Sequence, residues 1–209
     1  AHQIMDVSKI NSLVELYFRK IEQIDKKKPF LQWLNPNNNR QYNWEEVTEK
    51  IYKISHKIKK LINKEDRVLL LSENRPEWLI ADLAIMNAGG ITVPIFTTYA
   101  DSDYKYILKD CSPSLIIVSN NNQYEKIENY IDNKKVISFE NLKTNSITFE
   151  SIYKEDYKKI INDRLNRKLA ACIIYTSGTS GNPKGVILSH GGILSNCEGA
   201  LELLQPLIK

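Results

Sequence analysis

Between residues 176 and 185 the chain reads Thr176-Ser177-Gly178-Thr179-Ser180-Gly181-Asn182-Pro183-Lys184-Gly185. Glycines leave backbone N–H groups unhindered, hydroxyls add donors and the lysine adds a point charge, which is the donor density and small bulk that phosphate oxygens need. Lys184 would stand near the terminal phosphates of a polyphosphate, and Gly185 would let the backbone approach closely. A flexible Ser/Gly connector has much the same composition. The flanks weigh against a connector: Leu169 to Tyr175 and Val186 to Leu188 are apolar, strand-like runs, and Pro183-Lys184-Gly185 stiffens one end.

Two familiar phosphate loops fail against these residues. The pattern GxxxxGK[ST] needs lysine after glycine and before Ser or Thr, whereas Lys184 follows Pro183 and precedes Gly185, with a strand rather than a helix to follow. The dinucleotide pattern GxGxxG lacks its first glycine, two residues before Gly178. Other reactive types are scattered. Cys111, Cys172 and Cys197 form no CxxC pair and have no histidine at metal-ligand spacing, so reduced thiols in a cytoplasmic setting are expected and no metal site is assigned. Glu45 and Glu46 read as helix-start carboxylates, His2 and His56 as surface residues, and His190 as a structural residue near a helix start that Ser189 caps.

The elements that must position the loop follow from periodicity. Residues 12–25 place Leu13, Leu16, Tyr17, Ile21 and Ile24 at helical spacing. Residues 30–34 and 40–42 read as a hairpin about the Asn35-Pro36-Asn37-Asn38-Asn39 turn. Asn43 and Glu46 resemble a capping box for a helix lined by Val47, Ile51, Ile54, Ile58 and Leu61. From Asp66 strands alternate with helices: strands over 68–71, 91–95, 115–118 and 136–139, helices over 75–88, 103–110 and 123–131. Pro76 and Gly89 bracket the first of these helices. Thr148 is expected to cap a lysine-rich helix ending near Arg167. Trp78, Leu79 and Leu83 read as core packing rather than an acyl pocket.

The whole is an α/β fold, a parallel-type sheet flanked by helices. Residues 1–65 form a helix, hairpin and helix lead-in, 66–140 the α/β sheet region, 141–168 a connecting helix region and 169–209 the loop and a following helix. With 209 residues, 42% hydrophobic and 26% charged, the chain can bury a true core. A net charge of +4, with Lys26, Lys27 and Lys28 read as a solvated helix end, is too diffuse for a nucleic-acid partner. The apolar stretch from Trp78 to Phe96 is broken by Asp82, Asn87 and Gly89-Gly90, which argues against a membrane span.

Tyr175 to Val186, YTSGTSGNPKGV, resembles the Ser/Thr/Gly-rich ATP phosphate loop of the adenylate-forming superfamily. Leu71 to Trp78, with Ala81-Asp82-Leu83-Ala84 and Thr92-Val93-Pro94-Ile95, is similar to the AMP-forming long-chain acyl-CoA synthetases, and the resemblance covers nearly the whole chain. It implies that a carboxylate attacks the α-phosphate of Mg²⁺-bound ATP, and that coenzyme A then cleaves the acyl-adenylate. It assigns Thr176, Ser177, Gly178, Thr179, Ser180, Gly181, Lys184 and Gly185 to the ATP phosphates; no catalytic residue is assigned. The implied partners are ATP, a fatty acid and coenzyme A, and such an enzyme is compatible with peripheral membrane contact. Ser180 stands where many members have Thr, and Gly191-Gly192 where a polar pair is more usual.

The family's motifs for adenine, Mg²⁺ and ribose, and its lysine-bearing C-terminal lid, are not met before Lys209, so the fold is expected to be an N-terminal portion, incomplete at the C-terminus and inactive as a ligase alone. Leu201, Leu203 and Leu204 read as an unfinished helix. A ligase for a shorter or aryl acid, a stand-alone nucleotide-binding module and a decayed reading frame are the rival readings.

Overall fold

A computed structural model describes residues 6–25, 27–33, 40–176 and 181–196. After a short 3-10 turn at Val7–Lys9, helix α1 (Leu13–Glu22) starts where the Ser12 hydroxyl accepts the Glu15 N–H, and it buries Leu13, Leu16, Tyr17 and Ile21. Strands β1 (Pro29–Trp33) and β2 (Arg40–Asn43) pair antiparallel as a separate ribbon; the Asn35–Asn39 turn lies outside the described residues. Lys27 and Lys28 are exposed in a turn after α1 has ended at Glu22, so the basic run is not a helix end; Lys26 lies outside the described residues. Helix α2 (Trp44–Leu61) is capped by Asn43 Oδ1, which accepts the Glu46 N–H at 2.8 Å, with Glu45 and Glu46 in its first turn.

The main sheet is then laid down: β3 (Arg67–Leu71), α3 (Pro76–Asn87), β4 (Ile91–Ile95), α4 (Asp101–Cys111), β5 (Leu115–Val118), α5 (Asn121–Ile127), β6 (Lys135–Ser138), β7 (Ile147–Thr148), α6 (Phe149–Tyr153), β8 (Ala170–Thr176), β9 (Lys184–Ser189) and α7 (His190–Ser195). Its order is β7-β6-β5-β3-β4-β8-β9, parallel throughout except that β9 returns antiparallel to β8. Strands covered on both faces read as unbroken apolar runs, and β5 is buried at all four positions. Alternation then sends Val68, Leu70 and Ile117 to the α1, α2, α3 side, and Leu69, Leu71 and Ile116 to the α4, α5 side. Helix α3 lies between the sheet and α2 and is apolar nearly all round, as a buried helix must be. Pro76 opens it, and Gly89, with φ of +92°, closes it in the left-handed conformation.

Two segments differ from the sequence reading. The expected helix 123–131 starts earlier, at Asn121 under an Asn120 cap, and passes into a 3-10 turn at Glu128–Tyr130. The expected lysine-rich helix shrinks to α6, capped by Thr148 as anticipated, and residues 154–169 contain no helix. Asparagines cause this. Asn162 and Asn166 side chains accept the N–H groups of Arg164 and Lys168, and the buried Asn87 amide donates to the Ile160 carbonyl while its oxygen accepts the Asn162 N–H. Each bond takes a backbone group that a helical ladder needs.

Candidate functional site

The Ser/Thr/Gly-rich segment links β8 to β9 as expected, at the end of the sheet where β3, β4 and β8 also finish. Antiparallel pairing sets Thr176 directly opposite Lys184, and both are exposed. Pro183, next to Lys184 in the chain, is buried. Gly181, with φ of +123°, turns the chain in a conformation that side chains rarely adopt, and an added Cβ would meet nothing within 4 Å among the described residues. At Gly185 an added Cβ would come within 3.0 Å of the Tyr175 ring, so the glycine makes room for that side chain. Ser177, Gly178, Thr179 and Ser180 lie outside the described residues.

Register places Cys172, Ile174 and Thr176 of β8 on one face with Leu188, Val186 and Lys184 of β9. This face borders a cavity of about 780 Å³ between the sheet, α3 and α7, walled by Trp78, Met86, Pro94, Ile174, Leu188 and Ile193. Its rim carries Ser72, Glu73 and Asn74 after β3 and Phe96, Thr97 and Thr98 after β4. The chamber is thus largely apolar, with polar groups supplied by the segments after β3 and β4. Leu79 and Leu83 are core residues as anticipated, whereas Trp78 is half-buried and faces the cavity.

One carboxyl interrupts the apolar wall. Asp82 of α3 is half-buried against the cavity, and burial pushes it up to about 6. Cys172 lies nearby on β8; burial first, then the Asp82 charge, pushes its thiol up to about 12. Cys111, fully buried, is pushed up to about 12 mainly by burial. Both are free thiols that stay protonated at neutral pH, which suits packing rather than nucleophilic chemistry. Cys197 lies outside the described residues.

The rim after β3 is held by charge. Arg75 is 2% exposed and donates to Glu77 at 2.9 Å, to Glu140 at 2.6 Å and to Glu73 at 3.2 Å. Ser119 and Gln123 donate to the other Glu73 oxygen. These residues come from the ends of β3, β5 and β6 and from two helix starts, so the network joins three strands at the functional end of the sheet.

His190 is fully buried at the start of α7, where Ser189 Oγ accepts the Gly192 N–H. Its Nδ1 accepts the Leu13 N–H at 3.2 Å, so the imidazole caps α1 and the neutral ring carries its proton on Nε2. A Cβ on Gly191 would stand 2.7 Å from the Arg167 carbonyl oxygen, which explains a glycine after the histidine. Arg167 completes the join by donating to the Ile10 carbonyl at 2.7 Å and to Ser195 Oγ. His190 therefore ties α7 to α1. His56 is a partly exposed surface residue, as expected, with Nδ1 accepting the Lys158 N–H; His2 lies outside the described residues.

Burial holds the His190 imidazole down at about 4, from 6.5 in an unfolded chain. The unfolded state then binds the extra proton, so this residue's contribution to stability is lost as pH falls from about 6.5 toward about 4. Asp82 acts oppositely, since its raised value lets the folded state hold a proton below about 6. His190→Asn keeps an acceptor for the Leu13 N–H but does not titrate. The melting temperature of wild type relative to His190→Asn is expected to fall between pH 6.5 and pH 4, with the Asp82 contribution common to both. Parallel pH profiles would rule this out.

The chain is similar to proteins of known family. The AMP-binding enzyme family matches residues 18–206. The long-chain-fatty-acid–CoA ligase ACSBG2 of Gallus gallus is 30% identical over 172 residues, covering 72% of this chain and 22% of that protein. Long-chain-fatty-acid–CoA ligase 6 of Mus musculus is 25% identical, over 70% of this chain and 24% of that protein. The chain thus spans about a quarter or less of the length of these curated relatives. Among solved structures, the anthranilate CoA ligase AuaEII in complex with anthranoyl-AMP superposes with a TM-score of 0.76 at 22% identity, over 89% of this chain and 36% of that one. The fatty acyl-adenylate ligase from L. pneumophila, in complex with acyl adenylate and pyrophosphate, gives 0.69 at 22% identity, over 92% and 32%. With the loop, the mostly parallel sheet and the family match all in one chain, this protein belongs to the AMP-binding enzymes of the adenylate-forming superfamily.

Proposed function

We propose that this chain supplies the ATP phosphate site, and part of the acid-binding chamber, of an enzyme that activates a carboxylic acid with ATP and transfers it to coenzyme A. The acid oxygen attacks the α-phosphorus, pyrophosphate leaves, and the thiol sulfur then displaces AMP from the acyl carbon. Thr176, Ser177, Gly178, Thr179, Ser180, Gly181, Lys184 and Gly185 hold the ATP phosphates in this reading. Fixed donors and one cation favour the charge that builds on the departing pyrophosphate oxygens. The observation that carries it is the Thr176–Lys184 rung: an exposed threonine and an exposed lysine stand opposite each other on the β8–β9 face whose Cys172, Ile174 and Leu188 line the apolar chamber. Such a chamber has room for the apolar part of an acid whose carboxylate lies toward the loop.

A long-chain fatty acid is the substrate class we favour, because the curated relatives are long-chain-fatty-acid–CoA ligases and the chamber wall is largely apolar. ATP and coenzyme A are the co-substrates. Mg²⁺ accompanies ATP in this chemistry; among the described residues no group of three or more His, Cys, Asp or Glu side chains gathers that could hold an ion. No helix among the described residues is long and apolar enough to cross a membrane. Titration calorimetry of the chain with ATP tests the phosphate site: a saturable heat that pyrophosphate suppresses is expected, and no detectable binding would refute it.

A further inference from the structure

We propose that Tyr99 is a positioning residue that, through Tyr175, sets where the phosphate loop leaves the sheet; this rests on the phosphate-loop reading above. Tyr175 immediately precedes Thr176 and is held on three sides. Its carbonyl accepts the Tyr99 hydroxyl at 2.7 Å, its own hydroxyl donates to Asp110 Oδ2 at 2.6 Å, and its ring fills the space over Gly185 on the facing strand. Tyr175 is 2% exposed, and its two hydrogen bonds are partly buried.

Tyr99 is itself anchored. The buried Tyr104 hydroxyl accepts the Tyr99 N–H at 3.2 Å and donates to the Phe96 carbonyl at 2.8 Å, closing the turn after β4 from both ends. Lys126 donates to the Thr97 carbonyl from α5. The turn that carries Thr97 and Thr98 to the cavity rim is thereby coupled to the strand end that carries Thr176. In an antiparallel pair the last rung frays first, because it has no neighbour beyond it. A hydrogen bond to the carbonyl of residue 175 works against fraying at the rung that faces the phosphates.

Tyr99→Phe removes one hydroxyl and keeps the ring. Hydrogen exchange of the Thr176 and Lys184 amides is expected to become about fivefold faster, the size of one lost hydrogen bond, while the Ile173 and Ile187 amides of the same strands keep their rates. ATP affinity should fall by a similar factor, about fivefold, with AMP affinity unchanged. Tyr175→Phe, which frees Asp110 but leaves the carbonyl bond, should loosen the same rung independently. Unchanged exchange at Thr176 and Lys184 in Tyr99→Phe would overturn the proposal, as would an equal rise at Ile173 and Ile187. So would a loosened rung with unaltered ATP affinity. If wild type binds no ATP, the phosphate-loop reading falls, and exchange still decides whether Tyr99 holds the strand end.

Discussion

Lys184→Ala is expected to weaken ATP binding by about ten- to a hundredfold, the range of one lost charge-assisted hydrogen bond, with the fold intact. Lys184 begins β9 with its side chain exposed opposite Thr176, and no carboxylate among the described residues pairs with it. Its charge is thus available to a ligand, and truncating it leaves no buried partner stranded. Lys184→Arg should recover part of the affinity by restoring the charge, though a planar fork cannot replace a compact ammonium fully. Added salt should weaken wild-type binding more than that of Lys184→Ala, because screening acts on a charge the variant no longer has. Calorimetry at two salt concentrations measures both. Equal ATP affinities for wild type and Lys184→Ala would remove the lysine from the site.

Arg75→Met is expected to be among the most destabilising single changes in the chain, at about 3–5 kcal/mol, because it removes the cation that is hydrogen-bonded to the buried Glu77 carboxylate. Arg75 and Glu77 are 2% and 4% exposed, whereas Glu140 has more than half of its side chain open to water and can rehydrate. Burial works against the Arg75 charge, but hydrogen bonds and attraction from Glu77, then Glu140 and Glu73, hold it firmly protonated. Loss of the guanidinium should also remove one of the three hydrogen bonds to Glu73, leaving those from Ser119 and Gln123. Urea denaturation measures the loss, and a drop below about 1 kcal/mol would mean that the network contributes little. The double variant Arg75→Met, Glu77→Met should recover much of the loss, since replacing both members of a buried pair with apolar groups leaves no unpaired charge.

Local signals were read correctly where a side chain within three residues supplies the physics. Asn43, Thr148 and Ser189 cap the helices they precede, and Pro76 and Gly89 bracket α3. Strands 68–71 and 115–118 were legible because burial on both faces leaves unbroken apolar runs, and 91–95 because Ile91, Val93 and Ile95 follow the Gly89-Gly90 break. The segment after Thr148 misled because its lysines favour a helix locally, whereas Asn87, some 75 positions earlier, takes its backbone groups. The loop was legible by composition and spacing; its support was not. Tyr99 and Tyr175 stand 76 positions apart, and Arg75 and Glu140 stand 65 apart, with nothing in either neighbourhood to mark the pairing.

The sequence by itself determined the α/β alternation, the helix starts, the family resemblance and which residues could hold phosphate, because each depends on residue type and on spacing over one or two turns. Tertiary structure alone decided that Lys184 faces Thr176, that Asp82 enters an apolar chamber, that His190 caps a distant helix and that Gly185 makes room for Tyr175. Those relations arise from strand register and from which faces are covered, and a chain specifies them only once its distant apolar surfaces have packed together.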